Sequence, residues 1–76
     1  MKYSAPEIQA PEDEIQINDP VLIHSNNDLY RYTVGVVLAQ IAHPYRGQLY
    51  EVRVRRNDGL TVERYFKRHQ IEKMHL

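Results

Sequence analysis

Two stretches joined by Asn57-Asp58-Gly59 constrain this chain more than any other feature: Gln48-Leu-Tyr-Glu-Val-Arg-Val-Arg-Arg56 before it and Leu60-Thr-Val-Glu-Arg-Tyr-Phe66 after it. In the first, Tyr50, Val52 and Val54 alternate with Glu51, Arg53 and Arg55, the period of two that belongs to a strand buried on one face. Gly59 supplies the positive φ that a tight hairpin loop demands. The register can be worked out on paper. A two-residue loop sets Arg55 against Val62, whereas a three-residue loop sets Val54 against Val62, Arg53 against Glu63 and Tyr50 against Phe66, matching apolar to apolar and charge to opposite charge. The second register is expected, with Tyr65 facing outward and Arg64, by parity, inward.

Further strands flank the hairpin. Val21-Leu-Ile-His24, entered through Pro20, reads as a first short strand, and Ser25-Asn-Asn-Asp28 as a polar turn. Arg31 to Ala42 reads as a second strand. Its apolar residues fall on both parities, which expects a central or strongly curled strand, and Gly35 suggests a bulge or bend. Lys67-Arg-His-Gln70 reads as a single helical or 3-10 turn before a last strand from Ile71 to Met74. Five bent strands in so short a chain are expected to curl into a small all-β barrel, which removes exposed edges. The expected core is Val21, Ile23, Val34, Val36, Leu38, Tyr50, Val52, Val54, Leu60, Val62, Phe66 and Ile71.

Seventy-six residues allow one domain, and a chain of this size buries about 60% of its unfolded surface. There is no cysteine, hence no disulfide staple and no thiolate metal site. No apolar run reaches the roughly 18 residues that span a bilayer, and no signal-peptide core follows Met1-Lys2, so a soluble cytoplasmic protein is expected. The zero net charge conceals a division. Residues 1–19 carry Lys2 against five acids, whereas residues 20–76 carry nine Arg and Lys against five. The expected organisation is a flexible acidic tail, 1–18, and a basic domain, 19–76. Glu14 to Asn18 alternates, so it is also a candidate to add a strand to a sheet edge.

The order of strand, polar loop, strand with internal Gly, hairpin, 3-10 turn and final strand resembles the SH3-like barrels, and within them the Tudor-like modules. The likeness rests on Val21 and Ile23, Tyr30 through Leu38, Tyr50 through Val54, Asp58-Gly59 and Gln70-Ile71. It implies a fold that hosts many functions. Tudor-like barrels present aromatic cages to methylammonium groups, for which Tyr30, Tyr32 and Asp28 are the best local set. Tyr30-Arg31-Tyr32 before Gly35-Val36-Val37 is also loosely similar to small accessory barrels of photosynthetic electron-transfer complexes.

Three function classes remain open at this level. The first is a non-catalytic interaction or accessory module that binds a protein partner through loops, strand edges and exposed Leu22, Tyr45 or Leu49. The second is nucleic-acid binding through the basic hairpin, where Arg53, Arg55, Arg56, Arg64, Lys67 and Arg68 supply phosphate contacts and Tyr65 a stacking surface. The third is enzymatic. Val62-Glu63-Arg64-Tyr65 is similar in layout to a stretch of the plasmid-encoded type II dihydrofolate reductases, whose pore is built by a tetramer, but Glu63 and Arg64 stand where that family has Gln and Ile. Ser4 and Ser25 lack a catalytic constellation. The four histidines lack metal-ligand spacing and read as surface or turn residues, so no metal or cofactor is expected. The acidic tail is a candidate to fold over the basic hairpin and compete with an anionic partner.

Overall fold

A computed structural model describes residues 14–75. Five strands, β1 (Pro20–Ile23), β2 (Val34–His43), β3 (Gly47–Arg55), β4 (Thr61–Lys67) and β5 (Ile71–Lys73), form one antiparallel sheet in the order β4-β3-β2-β1-β5. A 3-10 turn, Arg68–Gln70, precedes β5. It is held by the Gln70 side chain, whose Oε1 accepts from the Lys67 N–H at 2.9 Å. Among the described residues no helix is long and apolar enough to cross a membrane.

The β3–β4 ladder has the expected register: Val54 faces Val62, Arg53 faces Glu63 and Tyr50 faces Phe66. Arg56 N–H donates to the Leu60 carbonyl at 2.8 Å, closing a three-residue loop, and Gly59 carries φ +94°. Arg64 has the inward parity of its partner Val52. It is nevertheless exposed, because β4 is an edge strand and a long side chain can carry its guanidinium past the sheet to water. There it donates to the Glu63 carbonyl at 3.1 Å.

Strand β2 departs from expectation in three ways. It begins at Val34, not Arg31. Val34 and Val36 are exposed and Leu38 is half-buried, whereas Val37 is fully buried. The bulge falls between Val37 and Ala39, with Leu38 as the extra residue, and not at Gly35. Gly35 serves a different need. A Cβ there would lie 2.5 Å from Val52 Cγ1 and 2.7 Å from the Arg53 carbonyl oxygen, so glycine lets β2 press against β3. Val21, Gly35, Val54 and Val62 thus form one transverse row on the inner face. The bulge then reverses the parity of β2, which accounts for its apolar residues of both parities.

The core comprises Val21, Ile23, Val37, Val52, Val54 and Ile71, with Tyr50, Phe66, Tyr30 and Ile15. Leu60, expected inside, is exposed, since it closes the loop beyond the last ladder pair. Ile15 lies before the expected domain start at residue 19, yet it is only 1% exposed. Gln40 Nε2 donates to its carbonyl at 2.6 Å, and Asn18, at φ 77°, donates its N–H to the Val37 carbonyl at 2.8 Å. The packed unit therefore includes residues 15–19. The rest of the acidic leader, 1–13, lies outside the described residues.

Candidate functional site

The alternation of β3 and β4 sends one set of side chains inward and the other onto an outer face. Cross-strand rows define that face. Pro20, Val36, Arg53 and Glu63 form one row, and Ala39, Glu51 and Tyr65 the next. Val34, Val36 and Tyr65 are 49%, 41% and 55% exposed, so the face mixes apolar, aromatic and charged surface.

The basic residues expected here do not act as one array. Arg53 Nη2 lies 3.0 Å from Glu63 Oε2 across the ladder. Arg56 is half-buried and forms a two-pronged pair with Asp58, donating from Nε to Oδ1 at 3.1 Å and from Nη2 to Oδ2. That pair, aided by the Leu60 N–H that Asp58 accepts, holds the Asp58 carboxyl below its usual range and raises the Arg56 guanidinium above its own. Arg55, Arg64 and Lys67 are exposed and have no carboxylate ion pair among the described residues. Arg68 is turned toward its own turn, donating to the Ile71 carbonyl at 2.9 Å.

Tyr30, Tyr32 and Asp28 do not assemble into a cage. Tyr30 is 9% exposed, its ring packed edge-on against Phe66 at 5.9 Å, because the core takes it as a wall. Tyr32 is 70% exposed, adopts φ 58° and sets its ring edge-on to His24 at 6.2 Å. His24 in turn meets Glu72 Oε1 at 2.7 Å, and Asp28 pairs with Arg31 at 3.3 Å. The loop that carries these residues is anchored by Asn57, a residue read in the sequence only as part of a turn. Its N–H donates to the Leu29 carbonyl at 2.8 Å, and its Nδ2 to the carbonyls of Asp28 and Arg31 at 2.6 and 3.2 Å.

A feature missed in the sequence lies at the other end of the hairpin. Leu49 pairs with Ile41 and Lys67, on the face opposite Tyr50, and yet is 6% exposed. It floors a cleft of about 350 Å³ walled by Arg46, Tyr65, Lys67, His69 and Gln70. Arg46 comes from the β2–β3 turn, Lys67 from the end of β4 and His69 from the 3-10 turn, so only folding brings them together. The β2–β3 turn is shaped by His43, whose Nδ1 accepts from the N–H groups of Tyr45 and Arg46 at 3.1 and 3.0 Å. The spacing of His43 and Arg46 around Pro44 and Gly47 was the one local signal available. Among the described residues no group of three or more His, Asp or Glu is placed to hold a metal ion.

Comparisons of the chain with family models, characterised proteins and solved structures return no match.

Proposed function

We propose that this chain is a non-catalytic interaction module of SH3-like, Tudor-like type, which binds a protein partner through the outer face of β2, β3 and β4. The strand order, with β1 between β2 and β5 and a 3-10 turn leading into β5, supports that family of folds. The observation that carries the functional reading is the composition of the outer face. Val34, Val36 and Tyr65 are all more than two-fifths exposed beside Arg53 and Arg55. Protein interfaces combine buried aromatic and arginine anchors with apolar contact area, whereas phosphate tracks call for an unneutralised cationic stripe. Two of the hairpin's arginines, Arg53 and Arg56, are already bridged by carboxylates of the same hairpin.

A photo-crosslinking amino acid in place of Val36, compared with one in place of Tyr32 on the loop, tests the reading in cells. Discrete protein adducts are expected from position 36 and not from 32, and Arg53→Glu with Arg55→Glu should abolish them. Adducts that vanish on nuclease treatment, or adducts indifferent to the double substitution, would overturn it.

A further inference from the structure

We propose that the cleft over Leu49 is a carboxylate-recognition pocket for an acidic peptide segment, one in which an Asp or Glu stands next to an apolar residue. The proposal rests on the reading of the domain as a protein-binding module and names the chemistry of the partner.

The cleft departs from the rest of the surface in two respects. The first is charge. Four cations elsewhere are matched in cis, Arg31 with Asp28, Arg53 with Glu63, Arg56 with Asp58 and Lys73 with Asp19, whereas Arg55 and Arg64, which have no carboxylate ion pair among the described residues, do not line the cleft. The cleft gathers Arg46, Lys67 and His69 with no carboxylate in its lining, and none of the three has a carboxylate ion pair among the described residues. The second is the floor. Leu49 is buried, lies outside the main core cluster and is the aliphatic residue of the cleft's lining. Cations gathered over an apolar floor favour a ligand that is anionic at one end and apolar beside it. A guanidinium takes a carboxylate through two parallel N–H bonds, and the ammonium acts as a point charge. The neighbouring apolar side chain would rest on Leu49 and the Tyr65 ring.

The surroundings select a local anion over a polyanion. Glu51 is the cross-strand partner of Tyr65, and Glu63 lies on the same face two residues before it in β4. A phosphate backbone leaving the cleft along β4 would run into both. A peptide carries its charges on separate side chains and can place a neutral or basic residue there, completing the electrostatic match.

The test is amide-shift mapping of the isotope-labelled full chain with the capped peptide acetyl-Ser-Leu-Asp-Leu-Glu-Ser-amide. Its Asn/Gln isostere and a short oligothymidylate serve as controls. Saturable shifts centred on Arg46, Leu49, Lys67, His69 and Gln70 are expected with the acidic peptide, and none with the isostere. Arg46→Glu with Lys67→Glu should weaken binding at least about tenfold, and Arg31→Gln, in the loop anchored at the other end of the hairpin, should leave it within about twofold, since loss of opposed charge acts at the contact itself. Unchanged amide positions elsewhere in the double variant would show that it is folded. Shifts outside the cleft, equal binding of the isostere, or equally tight binding of oligothymidylate to the same amides would overturn the proposal. Protein adducts from position 36 with an unresponsive cleft would sink this inference alone. Nuclease-sensitive adducts at 36 would sink the module reading instead.

Discussion

Strand β3 belongs to two ladders that obey different rules. Toward β4 the pairing runs without interruption from Leu49–Lys67 to Arg55–Thr61, and the period of two in the sequence is the period of two in space. Toward β2 the pairing slips after Val37–Val52, and Leu38 is left without an opposite number. In the first ladder each residue's face follows from its parity. In the second, a glycine and a bulge decide which valine is core, so neighbouring strands of equal β propensity carry unequal information.

The largest expected effect falls on the β2–β3 contact. Gly35→Ala forces a methyl into the space taken by Val52 Cγ1 and the Arg53 carbonyl oxygen, and backbone there cannot yield cheaply. A loss of about 3 kcal/mol is expected by urea unfolding, in the upper range of overpacking costs. A loss below about 1 kcal/mol would mean that β2 and β3 can separate without cost and that Gly35 does not set the inward parity.

A middle-sized effect is expected at the tip of the regular hairpin. Asn57→Ala removes the two side-chain hydrogen bonds to the Asp28 and Arg31 carbonyls, at a cost of about 1–2 kcal/mol. Amide exchange should quicken across residues 25–33 ahead of the β3–β4 ladder. Uniform quickening of both would show that loop and hairpin open as one unit.

The smallest effect belongs to the outer face. A double-mutant cycle on Arg53→Ala and Glu63→Ala should return a coupling of about 0.5 kcal/mol that shrinks in high salt, because the pair is exposed. A coupling above about 2 kcal/mol would identify a desolvated bridge and a more rigid face than the exposed Val36 and Tyr65 imply.

The candidate sites divide along the same line. Tyr65 outside, Arg53 against Glu63, and the exposure of Arg55 and Lys67 were all legible, since each follows from a regular ladder next to a turn of known type. The separation of Tyr30 from Tyr32 was not. Tyr30 and Tyr32 are two residues apart and would share a face in a strand, but β2 starts only at Val34. In the turn that holds them instead, one ring enters the core and the other is left in solvent. The acid-free cleft was equally invisible, since Arg46 comes from the β2–β3 turn and Lys67 from the end of β4.

By itself the sequence determined the all-β class, the β3–β4 register, the three-residue loop with Gly59 in the left-handed region and the 3-10 turn before the last strand. These rest on contacts between residues near in the chain, or on side chains that alternate with the backbone. Tertiary structure alone decided that Val37 and not Val36 is core, that Ile15 closes the core, that Asn57 anchors a distant loop and that Arg46, Lys67 and His69 share a cleft. Each of these depends on which strand lies beside which and how closely their backbones approach, quantities set by packing the whole sheet and not by any local pattern.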